Sequence, residues 1–287
     1  MLRRVRACLP CAVLLLATAA AHAQPTPNVN RTVELNYVYA ADLGFGGYHL
    51  SGLSASVYTL PLSYPVDDAP YKGWTVDFLF PVQVGLYRFR ATDVDGQQLA
   101  LDQQSVSVVP GIELRIPLSL PFGESTVLKP FAQFGVAHAF GDNVGNPNSW
   151  IYLTGARTLT EWHAGAYTLS VGTAAVFAGD QLIGPGFSER YVSLQTGFEV
   201  RHPLGFRVGS IEPDVGMYIA GYYYPQPLKF TRFLKRTLFV SEQGEIGFSV
   251  GSATPYKLLW LSSPRIGLGY VFGGGLQVWH VNFGFRF

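Results

Sequence analysis

The sequence predicts an all-β fold: a transmembrane, antiparallel, up-and-down β-barrel of about twelve strands. Three observations predict it. Apolar residues recur with a period of two along most of the chain, which sets them on one side of a strand rather than along one face of a helix. Charged residues make up only 14% and hydrophobic residues 48%, against about 25% charged in soluble domains. Beyond the first residues, no stretch offers the roughly 20 continuous apolar positions of a spanning helix. Such a chain has one way to cross lipid with every main-chain group paired, the closed barrel.

The N-terminus reads as an address. Arg3, Arg4 and Arg6 form a positive region, residues 12–20 an apolar run, and Ala21-His22-Ala23 a small-x-small cleavage pattern. Residues 1–23 are therefore predicted to be a signal peptide and residues 24–287 a single barrel domain. The apolar run is too short for a spanning helix, which needs about 20 residues. Cys8 and Cys11, the only cysteines, precede the run, where a lipidated cysteine would follow it. A chain cut after Ala23 carries no thiol, hence no disulfide, no Cys-ligated metal and no Cys nucleophile. Losing three arginines takes 20 basic residues to 17 against 19 acidic, so the formal charge moves from +1 to −2. No clustered basic run remains, which argues against nucleic acid as a partner.

Strands are predicted at 33–41, 46–60, 72–90, 105–120, 127–140, 150–160, 165–178, 190–201, 211–224, 243–251, 264–272 and 277–287. Trp74, Val76, Phe78, Phe80, Val82 and Val84 share one face, as do Val106, Val108, Pro110 and Ile112, then Tyr167, Leu169, Val171 and Phe177, then Val192, Leu194, Phe198 and Val200. In the last strand Trp279, Val281, Phe283, Phe285 and Phe287 point one way, and His280, Asn282, Gly284 and Arg286 the other. Gly273-Gly274-Gly275 supplies the turn before it. A soluble sandwich alternates too. Here the polar faces hold Gly, Ser and isolated charges, and the apolar faces carry aromatics near strand ends, the arrangement of interfacial girdles.

Twelve is even, as a barrel with both ends in the periplasm requires. The 264 residues after cleavage (287 minus 23) give 22 per strand, enough for a tilted span of about 9–11 residues and a connection. Parity places 93–96, 141–149, 179–189 and 225–243 outside the cell, and 121–126, 160–164 and 202–205 in the periplasm. Segments 230–240 and 256–261 are each candidates for a further strand, which would make fourteen.

Phe283-Gly284-Phe285-Arg286-Phe287 resembles the terminal signature of bacterial outer-membrane β-barrel proteins, whose last strand alternates apolar residues and ends in an aromatic. The resemblance spans the chain in architecture, through signal peptide, strand pattern and terminal strand, and names no subfamily. It implies the outer membrane of a Gram-negative cell, contact with outer-membrane lipid, and recognition by the barrel-assembly machinery through Phe283, Phe285 and Phe287.

Little in the sequence signals chemistry. Membrane-embedded lipid hydrolases of the phospholipase and lipid A deacylase types carry a His-x-Ser-Asn run. Only His49-Leu50-Ser51 has the His-x-Ser spacing, and Gly52 stands where Asn would be expected. Asp93-x-Asp95-Gly96 lacks the further acidic ligands of a calcium loop and reads as a hairpin turn. The histidines are too scattered for zinc. No catalytic residue, metal or cofactor is assigned.

The inward face is more informative. The register points Asp77, Glu113, Glu161, Glu199, Asp214 and Glu245 inward, with Arg115, Lys129, Arg157, Arg201, Arg265 and Arg286. Buried charges must be paired or wetted. The set is either a charged constriction in a narrow pore or an ion-pair ladder that fills the lumen. Gly172, Gly197, Gly247, Gly251, Gly267, Gly269 and Gly284 share that face, giving a shallow wall for a small solute or a device for sheet curvature. The leading expectation is a narrow, porin-like passive channel for small solutes. A closed barrel with a structural or surface-contact role is the alternative, and a lipid hydrolase the third reading. The signal reading predicts a mature chain beginning at Gln24, and N-terminal mass analysis of membrane-extracted protein should find that start rather than Met1.

Overall fold

The structure, a computed structural model, describes residues 46–50, 53–66, 73–92, 98–120, 123–141, 148–184, 188–209, 211–231, 237–253, 257–258, 261–262, 265–282 and 287. The chain falls into two units, Met1–Thr32 and Val33–Phe287. The first, with the expected signal peptide, lies outside the described residues, as does the expected strand 33–41.

Every described element is a strand. The first five are β1 (Gly46–Leu50), β2 (Leu53–Val66), β3 (Thr75–Thr92), β4 (Gln98–Val108) and β5 (Gly111–Leu118). Next come β6 (Ser125–Gly141), β7 (Asn148–Ala164), β8 (Tyr167–Leu182), β9 (Ser188–Pro203) and β10 (Pro213–Thr231). The chain continues through β11 (Thr237–Ser252), β12 (Lys257–Leu258), β13 (Leu261–Ser262), β14 (Ile266–Gly273) and β15 (Leu276–Asn282). Thirteen of these form one antiparallel sheet that closes on itself, β1 pairing with both β2 and β15. β4 and β5 are halves of one stave between β3 and β6, so the wall has twelve staves.

Proline explains that interruption. Pro81 and Pro110 have no N–H to give the ladder. The chain shifts register between β4 and β5, and the pairing survives as Val109 N–H donating to Pro81 O (3.3 Å) and Phe134 N–H to Pro110 O (2.9 Å).

Two sequence expectations change. The predicted strand 46–60 is two strands, folding back so that Leu50 and Leu53 become partners. The apolar phase shifts there, from even positions (Tyr48, Leu50) to odd ones (Leu53, Ala55, Val57). The fourteen-stave alternative is not adopted. Segment 230–240 belongs to the ends of β10 and β11, which pair as far as Thr231↔Thr237. Within 256–261, the described residues are the two-residue β12 and the start of β13, which pair in a separate small sheet.

The wall is inside out relative to a soluble protein. Its outer face exposes Tyr58, Leu60, Phe78, Phe80, Phe134, Leu194, Phe198, Met217, Ile219, Phe248 and Trp279, with ring pairs Phe134–Trp150 (5.3 Å) and Tyr270–Trp279 (4.6 Å). Its inner face buries Asp77, Glu113, Glu199, Asp214, Glu245 and His280. In water this arrangement would expose apolar area and bury charge; in a bilayer each face meets its matching medium. The molecule is a transmembrane β-barrel.

The face of one residue is corrected. Phe287 is buried (4% exposed) rather than lipid-facing. Its side chain occupies the space a Cβ on Gly172 would fill, and its carbonyl accepts a hydrogen bond from Lys129 Nζ (2.8 Å). The described pairing of the last strand runs to Asn282, and the burial of Phe287 shows that period two does not carry through to it. Residues 283–286, including Phe283, Phe285 and Arg286, lie outside the described residues.

The outer face yields a discriminating test. Met217 is 67% exposed, so Met217→Arg would be neutral, within about 0.5 kcal/mol, were that face in water. Facing lipid, the same change should be clearly destabilising, by up to the roughly 2–4 kcal/mol of an Arg at the midplane. Urea unfolding of vesicle-refolded protein measures the difference.

Candidate functional site: the barrel interior

The short β7–β8 turn at Gly165-Ala166 marks one end of the barrel, termed the turn end. The β10–β11 connection at 232–236 marks the other, the loop end. Inward side chains divide into two tiers between them.

The tier nearer the turn end is ionic. Asp77 on β3 meets Arg115 on β5 (Oδ2 to Nε 2.6 Å), and Arg115 also lies 3.9 Å from Glu113. Glu113 accepts from Arg157 on β7 (3.1 Å), whose guanidinium sits 4.1 Å over the ring of Phe131. Lys129 stands on β6 between them. Arg201 on β9 pairs with Glu161 and lies 3.5 Å from Glu199 on its own strand. Ser170 donates to Glu161 (3.2 Å). Ser249 on β11 donates to Glu199 (3.1 Å) and accepts from Arg265 Nη2 (3.1 Å), while Arg265 Nη1 reaches both oxygens of Asp214 (2.7 and 2.8 Å). The acids Asp77, Glu113, Glu161, Glu199 and Asp214 and the bases Arg115, Lys129, Arg157, Arg201 and Arg265 thus share this tier, and Arg286 lies outside the described residues.

A cluster missed by sequence reasoning continues the tier toward mid-barrel. Glu245 accepts from the Tyr218 hydroxyl (2.6 Å), from the Tyr222 hydroxyl and faces His280 Nε2 (2.8 Å); Asn282 donates to Tyr218 (2.5 Å). His280 and Asn282 were legible as inward by alternation. Their partners come from β10 and β11, so no local motif announces them.

The inward glycines make this packing work. A Cβ at Gly269 would overlap His280, Tyr218 and Glu245; at Gly247, Tyr218; at Gly267, Asn282; at Gly251, Arg265. The wall is shallow at these points and neighbouring side chains fill it. Of the two roles open to the inward glycines, a solute path or sheet curvature, the path is not available at these four positions, where neighbouring side chains take the space.

The tier nearer the loop end is largely apolar, with Asp180, Ser193, Gln195 and Gln243 buried among its aliphatic and tyrosine side chains. Ile151, Ala178, Val240, Val271 and Val278 are 0% exposed, and Val57, Leu153, Val176, Tyr191, Tyr222, Tyr224 and Leu228 are buried with them. A side chain beside a water-filled passage would show exposed surface, and these show almost none. One signal was available: in Trp150-Ile151-Tyr152-Leu153 alternate polarity lapses, as in a strand buried on both faces.

At the turn end, outside the span, His163 Nδ1 and Glu124 Oε2 lie 2.6 Å apart. The hydrogen bond to His163 holds the Glu124 carboxyl below its ordinary pKa. His138 pairs with Asn148 (2.6 Å), and the ring of His202 lies against Tyr167 (4.7 Å). Ser51, Asp93 and Asp95 lie outside the described residues. Among the described residues no group of three or more His, Cys, Asp or Glu could hold a metal.

The fold has counterparts among solved structures. The chain is similar to the transport unit of the autotransporter AIDA-I from Escherichia coli, at 11% identity, covering 84% of this chain and 88% of that one, with a TM-score of 0.58. It is also similar to the translocator domain of the autotransporter NalP from Neisseria meningitidis, at 10% identity, covering 84% of each chain, with a TM-score of 0.50. At such identities the likeness establishes a shared barrel fold. No protein-family model matches the chain, and no curated protein does.

The ionic tier is testable by a cycle. Arg265→Met leaves the buried Asp214 carboxylate uncompensated, which should cost roughly 3–5 kcal/mol, less where water reaches it. Arg265→Met with Asp214→Asn should recover most of that loss. Equilibrium unfolding of the two variants in detergent or vesicles gives the coupling.

Proposed function

We propose that this chain is an integral outer-membrane β-barrel that is closed at rest, a membrane-embedded scaffold that presents its loop end at the cell surface. The observation that carries the reading is the apolar tier, where inward side chains from β7, β8, β11, β14 and β15 meet with no exposed surface. Ion pairs below it bind the opposite end of the lumen. Together they act as a side-chain plug, and a solute would have to displace both. The signal-like N-terminus and the Phe-rich terminal segment support the outer membrane as the location, with lipid and the barrel-assembly machinery as partners.

Passive passage of small solutes is the second reading. It is favoured by the turn end, where the Arg115 side chain is 49% exposed and opens a wetted, charged vestibule. The names of the structural neighbours speak of transport and translocation for those proteins. For this chain either kind of passage would require the apolar tier to part.

Planar-bilayer recording of refolded protein tests the proposal, with insertion verified by heat-modifiable migration. The expected record is silent at low voltage. A steady ohmic step in the parent protein would overturn closure. Paired Ile151→Gly and Val271→Gly substitutions, which remove two fully buried inward side chains, should introduce conductance.

A further inference from the structure

The connections at the turn end are unlike one another. Between β7 and β8 it is only Gly165-Ala166, and before β6 it holds Gly123 and the ion-paired Glu124. Between β9 and β10 the chain runs from Leu204 to Glu212 and exposes Leu204 (44%), Phe206 (52%) and Val208 (60%). This loop is built. Leu204 N–H donates to Pro213 O (2.8 Å), and Val208 and Ile211 exchange main-chain hydrogen bonds (2.9 and 3.1 Å). Gly205 (φ +75°) and Gly209 (φ +64°) take the left-handed turns that let it fold back. Arg207 is exposed and reaches Glu212 (3.4 Å). Three large apolar side chains in five residues, alternating with Gly205, Arg207 and Gly209, form a patch of the kind that marks an interaction surface.

We infer that the β9–β10 loop is a membrane-surface anchor, its Leu204, Phe206 and Val208 side chains inserted at the headgroup–acyl boundary of the adjacent leaflet. The occupant follows from continuity. The strands that the loop joins carry the lipid-facing band down to it, through Phe198 on β9 and Val215, Met217 and Ile219 on β10, all exposed. The Tyr167–His202 ring pair stands at the same level, where amphipathic rings favour the interface. Arg207 extends into the headgroup layer while its apolar neighbours enter the boundary. The inference rests on the membrane reading and is independent of whether the lumen is closed.

The test uses the full chain with Cys8→Ser and Cys11→Ser, which removes its only cysteines. An environment-sensitive fluorophore is attached through Phe206→Cys, Ile219→Cys or Ala166→Cys, and the protein is refolded into phospholipid vesicles containing shallow-brominated lipid. Ile219→Cys reports insertion of the barrel, so failure of the membrane reading appears there first. Ala166→Cys reports an exposed turn at the same end. The probe at 206 should be blue-shifted and quenched at least twice as strongly as the probe at 166, at every protein-to-lipid ratio. Equal quenching at 166 and 206, with 219 quenched, would overturn the anchor. Quenching at 206 that fades as protein is diluted in lipid would overturn it in favour of contact with a second copy. As a second arm, Leu204→Asp, Phe206→Asp and Val208→Asp together should slow insertion several-fold; insertion at the parental rate would also overturn it.

Discussion

A bilayer offers no partner to a main-chain N–H or C=O, and the rest of this structure follows from that constraint. Each strand must be paired on both sides, so the sheet must close. Closure fixes two faces with opposite demands. The outer face is apolar because lipid solvates it, and residues that would be errors on a soluble surface, such as Met217 and Phe248, are what that face requires. Even its irregularity obeys the constraint. At Pro81 and Pro110, where two donors are missing, the β4–β5 shift keeps carbonyls at both prolines bonded.

The inner face has a volume to fill and no bulk water to pay for polarity wherever the lumen is packed. The chain meets this in two ways. Toward the loop end it fills the space mainly with aliphatic and tyrosine side chains, packed around buried Asp180, Gln195 and Gln243. Toward the turn end it uses long charged side chains that satisfy one another. Glycine lets both fit. At Gly269, for example, the absence of a Cβ leaves room for three polar side chains to meet against the wall.

Much of this was legible. Period two revealed the strand class and the outward faces of β3, β8 and β9, because a lipid-facing strand cannot hide its alternation. The inward charges were legible for the same reason: once one face is apolar, a charge in a strand has only the other. What stayed illegible was non-local or broke the period. The turn between β1 and β2 was hidden because the run 46–60 looked continuous unless its change of phase was noticed. The apolar tier was hidden because Ile151 and Val240 obey neither face of the alternation. Phe287 continued the period in sequence yet is buried against Gly172, which the period alone has no means to express. The Glu245 cluster required knowing that β10, β11 and β15 run side by side across β14.

The ionic tier does more than occupy volume. Its contacts join residues far apart in the chain: Arg157 and Glu113 are 44 positions apart, Ser249 and Glu199 are 50, and Asn282 and Tyr218 are 64. Each contact exists in one strand register only. A slip of one residue between neighbouring strands turns every side chain of the slipped strand to the other face. It would carry Glu113 and Arg115, or Glu199 and Arg201, from partners in the lumen into lipid. A single Arg at the bilayer midplane costs about 2–4 kcal/mol, and the partner left behind is then buried and uncompensated. An apolar filling carries little such penalty, because Val or Ile is as acceptable in lipid as in the lumen. Buried ion pairs are weak contributors to net stability, so their value here lies in the alternatives they forbid. The charges thereby favour one register of the barrel, a task the aliphatic filling above them does not share.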